Sequence, residues 1–153
     1  MSPGGWASRR LGVTSLMQSQ APVWKSIGRC GDCSYYEVEP GFLLVVPDQG
    51  ACDTGESAEQ QKAFQLAYCS EIGGRSVVGI LYDNVRDQTR DAREVYRTWP
   101  SDGGVVGSAL IGGTVLARAM ISFFVGLSTT DIPTRSFPNV EDARLWARSL
   151  TGR

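Results

Sequence analysis

Cys30-Gly31-Asp32-Cys33 is the tightest cluster of reactive side chains in the chain. Two thiols at that spacing can hold a metal or cycle between dithiol and disulfide. A zinc site needs a second such pair or histidine partners. The other two cysteines, Cys52 and Cys69, have sixteen residues between them and form no pair. A thioredoxin-like redox motif sits where a strand runs into a helix, whereas this pair precedes a strand-like run, Tyr35 to Glu39. The expectation is four free thiols in a reducing, cytoplasmic compartment, and no metal.

The chain contains no histidine. That excludes Ser-His-Asp and Cys-His nucleophile schemes, His-ligated zinc and phosphoryl relay through histidine. Proton transfer near neutral pH would fall to a perturbed carboxylate, Cys or Lys, and Lys25 and Lys62 are the only lysines. Asp48, Asp53, Glu56 and Asp83 are the carboxylates that could meet at the C-terminal edge of an open α/β sheet, where such sheets place their sites. Nothing in their spacing requires it. No residue is assigned a catalytic role, and no cofactor is expected.

Three further groups could bind rather than react. Thr89 stands where a helix should begin. A phosphate there would meet free backbone N–H groups, so Thr89 is a candidate phosphosite; a plain N-cap threonine is the simpler reading. Arg86, Arg90, Arg93 and Arg97 put basic charge along the same loop and helix, interleaved with Asp87, Asp91 and Glu94. They form either a self-compensated solvated face or a surface for an acidic patch on a partner. Met120, Phe123, Phe124 and Trp146 could line an apolar ligand pocket, although a stripe at helical spacing is more often core. Gly112-Gly113-Thr114 is a strand-to-helix turn of the sort that can hold an anion, but it lacks the P-loop lysine.

The elements that must position these groups read as follows. Residues 1–34 lack sustained periodicity and are expected to be a flexible tail, with Met17 available as an alternative start. Tyr35–Val38 and Phe42–Val46, separated by Pro40-Gly41, predict a hairpin. Ser57 with Gln60 suggests a capping box, followed by a helical stripe of Phe64, Ala67, Tyr68 and Ile72. Residues 76–82 form an unbroken apolar run, as in a strand buried on both faces. A loop leads to a helix from Thr89, with Ala92, Val95, Tyr96 and Trp99 on its buried face. Residues 105–111 predict a strand. Leu116, Ala119, Met120, Phe123, Phe124 and Leu127 predict a helix, residues 132–137 a last strand, and Asn139 caps a final helix bearing Val140, Ala143, Ala147 and Leu150. The order ββαβαβαβα predicts an α/β domain over residues 35–150 with a mostly parallel sheet.

At 153 residues, 42% hydrophobic and 20% charged, the chain suits one globular domain. A net charge of −1 without clustered Lys and Arg gives no footprint for nucleic acid or a polybasic membrane anchor. The apolar run from Val105 to Leu127 is long enough to suggest a membrane span, but Gly112-Gly113, Thr114 and Arg118 split it into strand, turn and helix.

Three stretches resemble the SpoIIAA-like (STAS, or STAS/SEC14-like) domains. They are Pro40-Gly41-Phe42-Leu43-Leu44-Val45-Val46; Val77 to Asp83 with Thr89-Arg90-Asp91-Ala92-Arg93; and a C-terminal half carrying Leu116-Ala117-Arg118-Ala119, Phe123 to Leu127, Pro133 to Phe137 and Glu141-Asp142-Ala143-Arg144-Leu145-Trp146. The resemblance implies a bacterial, cytoplasmic, non-enzymatic regulatory or adaptor domain that docks a partner protein. In the anti-sigma antagonist branch a serine at the start of the helix after the buried strand is phosphorylated. Here Gln88-Thr89-Arg90-Asp91 stands in place of that branch's Asp-Ser-Ser-Gly. The SEC14-like side implies the alternative, a carrier or sensor of a small apolar, lipid-like ligand.

Overall fold

The computed structural model describes residues 23–127 and 130–153. Along the chain come strands β1 (Lys25–Cys30), β2 (Cys33–Glu39), β3 (Phe42–Pro47) and β4 (Ala51–Asp53), helix α1 (Gly55–Ile72), and strand β5 (Ser76–Leu81). A single 3-10 turn (Tyr82–Asn84) leads into β6 (Val85–Gln88) and helix α2 (Arg90–Val95). Strand β7 (Val105–Ile111), helix α3 (Val115–Leu127), strand β8 (Thr134–Phe137) and helix α4 (Val140–Thr151) complete the order.

The fold is α/β. One six-stranded sheet runs β1-β2-β3-β5-β7-β8. The β1–β2 and β2–β3 pairings are antiparallel, and the other three are parallel. Strands β4 and β6 pair separately, in parallel. The apolar run at residues 76–81 lies between β3 and β7 and is buried over its first four residues, as expected of a strand covered on both faces.

Side-chain alternation sorts the core into two layers. Leu43, Val45 and Val78 point to one face and meet Tyr35, Tyr68 and Trp99 beneath α1. Phe42, Leu44, Val77, Ala109 and Ile111 point to the other and meet Ala143 and Ala147 of α4. Helix α4 sits close because Gly107 has no side chain: a Cβ there would lie 2.6 Å from the Leu150 side chain and 3.2 Å from Trp146. A third cluster, Leu110 with Tyr82, Val85, Ala117, Ile121 and Phe124, seats α3 at the C-terminal ends of the parallel strands.

Several expectations change. The proposed tail loses residues 25–34: Lys25–Cys30 is an edge strand paired to β2, and Trp24 packs on Tyr36 with ring centroids 5.9 Å apart. Residues 1–22 of that proposed tail lie outside the described residues. Strands β1, β4 and β6 are additions to the expected order. Helix α1 starts earlier than Ser57; Thr54 is its N-cap, and Thr54 and Ser57 form the capping box. Helix α2 stops at Val95 instead of reaching Trp99, because Lys62 reaches across from α1 and donates to the carbonyls of Val95 (3.0 Å) and Thr98. Val95 is accordingly half-buried, while Ala92 is fully buried. Strand β8 begins two residues later than expected. The run at residues 105–127 does split into strand, turn and helix, and among the described residues no helix is long and apolar enough to cross a membrane.

Candidate functional site

The largest change concerns α3. Its expected buried stripe is Leu116, Ala119, Met120, Phe123, Phe124 and Leu127. Phe124 is buried as expected and Met120 half-buried, but Leu116 (62% exposed), Ala119 and Phe123 (55%) turn outward, and Ala117 and Ile121 take the other inward positions; the Leu127 side chain lies outside the described residues. A helix apolar on nearly every side has no unique inward stripe to read. Arg93 of α2 lies over the Phe123 ring, 5.2 Å from its centroid, and donates to the Gln88 carbonyl at 2.8 Å. Met120 and Phe123 thus line a shallow surface depression of about 320 Å³ together with Asp87, Gln88 and Arg93. The four residues expected to share one pocket do not. Phe124 packs on Leu110, on the α1 side of the sheet, whereas Trp146 stacks near Phe137 on the α4 side, ring centroids 5.3 Å apart.

The other expected site residues border this surface. Thr89 caps α2, its Oγ1 accepting from the Ala92 N–H at 3.2 Å. Arg86 and Arg90 are exposed and make no ion pair among the described residues, while Arg97 pairs with Glu94 at 2.9 Å. The Gly112-Gly113-Thr114 turn does hold an anion, and it is the protein's own. The N–H groups of Gly113 (3.0 Å) and Thr114 (2.9 Å) donate to the Asp83 carboxylate. The four carboxylates do not gather. Asp48 pairs with Arg29, Glu56 is exposed in the first turn of α1, Asp83 is held as described, and Asp53 alone faces a cavity. No group of three metal-binding side chains forms among the described residues. The four cysteines are free, with Cys30 and Cys33 facing each other across the β1–β2 turn.

That cavity was not anticipated. It measures about 150 Å³ and lies at the C-terminal ends of β3 and β5, walled by Val45, Pro47, Ile80 and Val85. Helix α1 covers it with Ser57, Gln61 and Gln65, and the β4–β6 pair closes the far side. Exposed Gly31, Asp32 and Cys52 mark its mouth.

Its polar groups are mostly spent on one another. Tyr35 donates its hydroxyl to Gln61 Oε1, and Gln61 Nε2 donates to the Cys30 carbonyl at 2.7 Å. Ser57 donates to Asp53 at 2.6 Å, and Gln88 Nε2 approaches the other Asp53 oxygen at 3.4 Å. Gln65 Nε2 donates to the Tyr35 hydroxyl at 3.3 Å, but Gln65 Oε1 is buried and accepts from nothing among the described residues. Burial, then the charges of Asp53 and Asp32, pushes the Cys33 thiol up to about 12. Burial, then Asp53, holds the Tyr96 hydroxyl well above the usual tyrosine range. Gln61 and Gln65 escape an apolar-stripe reading. The signal for them was spacing alone, since Ala58, Gln61, Gln65, Tyr68 and Ile72 follow the alternating three- and four-residue steps of one helix face.

Residues 71–151 match a domain family of unknown function (DUF7793), and the chain belongs to that family. No curated protein and no solved structure matches it.

Proposed function

We propose that this domain is a non-enzymatic regulatory or adaptor module of the STAS kind, which docks a partner protein on the face shared by α2 and α3. The observation behind the reading is the outward turn of Leu116 and Phe123 beside Arg93. A helix that leaves large apolar side chains in water next to a basic rim has the composition of an interface centre. Arg86 and Arg90 extend the basic edge, so the partner is one with an apolar patch rimmed by acidic residues. Thr89 stands one helical turn from Arg93, and a phosphate on it would put negative charge at that edge and weaken such a partner. Four free thiols suit a reducing compartment, in keeping with a cytoplasmic role.

The test uses the full chain as bait in lysate of its own cells, with Arg93→Glu and Leu116→Asp as variants. Leu116 is exposed, and Arg93 is half-buried with one hydrogen bond to the Gln88 carbonyl, so the melting temperature should stay close to wild type for Leu116→Asp and fall by only a few degrees for Arg93→Glu. A partner retained by the wild type and lost by both variants supports the reading. An identical partner set from all three baits sinks it.

A further inference from the structure

We infer that the cavity between α1 and the ends of β3 and β5 is a binding site for a small organic cation, a primary ammonium on a single-ring apolar body, with Asp53 as its counter-ion. Its occupancy does not require the docking partner.

Three observations set the class. The first is the space. A cavity of about 150 Å³ admits one six-membered ring with a short substituent. Val45, Pro47, Ile80 and Val85 give the ring apolar walls, and the mouth at Gly31, Asp32 and Cys52 is exposed, so a ligand can enter. The second is an unbalanced carboxylate. Asp53 lines the cavity and is only half-buried, so it is open to a ligand. The groups that hold it are all neutral: the Ser57 hydroxyl at 2.6 Å, the Gln88 amide at 3.4 Å and the Tyr96 hydroxyl. The contact from Gln88 is long for a hydrogen bond to a carboxylate, so Oδ2 retains acceptor capacity. The third is the lack of a competing cation. Among the described residues no Lys or Arg lines the cavity, and neither Asp53 nor Asp32 forms an ion pair. The cations on flanking elements are committed elsewhere. Arg29 pairs with Asp48, Lys62 donates to the carbonyls of Val95 and Thr98, and Arg93 serves the Gln88 carbonyl and the Phe123 ring. A carboxylate beside apolar walls with no counter-charge favours a ligand that brings one. An anion would be repelled, and a neutral molecule would leave the charge unbalanced. A bare metal ion does not fit, since it needs several oxygen ligands and no group of three metal-binding side chains forms among the described residues. A primary ammonium does fit: its N–H groups donate to Asp53 while its ring meets the apolar walls.

The experiment is a titration of the methyl-labelled full chain at about pH 7 with benzylammonium, benzyl alcohol and benzoate, which share a ring and differ in charge. Shifts are followed at the Val45, Ile80 and Val85 methyls. Benzylammonium should give saturable shifts there at millimolar concentration or below. Benzyl alcohol should bind about tenfold more weakly or worse, the size of effect one charge-assisted hydrogen bond gives, and benzoate should not shift them. Asp53→Asn keeps the side-chain size and removes the charge, so it should abolish the preference for the cation while weak binding of benzyl alcohol persists. Ala51→Phe should fill the cavity from β4, leave Asp53 in place and remove binding of both, with thermal melts confirming folded variants. The wild-type comparison of the three ligands decides by itself where a variant fails to fold. The inference is overturned by any of four results. They are no saturable shift with benzylammonium at those methyls; benzyl alcohol binding the wild type as tightly; an unchanged preference for the cation in folded Asp53→Asn; or undiminished binding in folded Ala51→Phe.

Discussion

Two glutamines under a helix set the chemistry of the interior. Gln61 and Gln65 occupy positions where an apolar residue would be the ordinary choice, and Tyr35 is buried among them to share their polar atoms. The same burial fixes the alkaline limit of the fold. Cys33 is held protonated up to about 12, and burial raises Tyr82 to about 12 as well. In the unfolded chain these groups lose their protons at about 8.5 and about 10. Between those values and about 12 the folded state therefore binds more protons than the unfolded state, and stability falls as pH rises. Urea midpoints should be flat from pH 7 to about 8.5 and then decline. Cys33→Ala should soften the first part of that decline, to which the Cys69 thiol, also raised by burial, contributes the rest; a midpoint that stays constant to pH 11 would contradict the burial. Thiol chemistry follows the same order, and iodoacetamide at pH 8 should label exposed Cys52 well before Cys33 or buried Cys69. At this scale the sequence was a partial guide. It placed Thr89, Asn139 and the free cysteines, but polar residues that line a cavity carry no apolar signal.

Elements were legible where burial was two-sided and obscure where it was shallow. Strand β5 and strand β7 are continuous apolar runs and could be bounded from the residues alone. Strand β1 is an edge. Its first two residues are exposed, Gly28 and a bulge interrupt its alternation, and only Ile27 and Cys30 reach the core cluster. It nonetheless covers the flank of β2. Removing residues up to Gly31 should lower the melting temperature by more than about 5 °C, since losing even about 2 kcal/mol in a domain of this size has that effect, and should promote edge-to-edge association. A melt within a degree of the full chain would show β1 to be ornamental. Helix α2 was overextended for a different reason. Its end is fixed by a side chain from another helix, which no local pattern reports. Lys62→Met should let those carbonyls go unpaired and cost about 1 kcal/mol in chemical denaturation; no change in midpoint would mean that water serves as well.

At the scale of the whole molecule, the sheet is a partition. On one side lie the cavity, α1, α2 and α3; on the other lies α4, seated over Gly107. Trp146 belongs to the second side, despite the sequence-based expectation that it would join Phe123 and Phe124. Its ring meets Phe137, Gly107 and the end of α4, so it holds a layer together and touches neither the proposed docking face nor the cavity. Trp146→Ala should therefore cost about 2–3 kcal/mol, below the usual range for a fully buried tryptophan because this one is half-buried. For a domain of this size that is a fall of about 5–12 °C in melting temperature. Binding should not follow. Below its melting range the variant should retain the partner that Arg93→Glu is expected to lose. The double variant Trp146→Ala with Arg93→Glu should show additive effects, because the sites share no contacts. Departure from additivity by more than about 0.5 kcal/mol would show that the sheet couples its two faces, and that α4 has a part in the function of the other side.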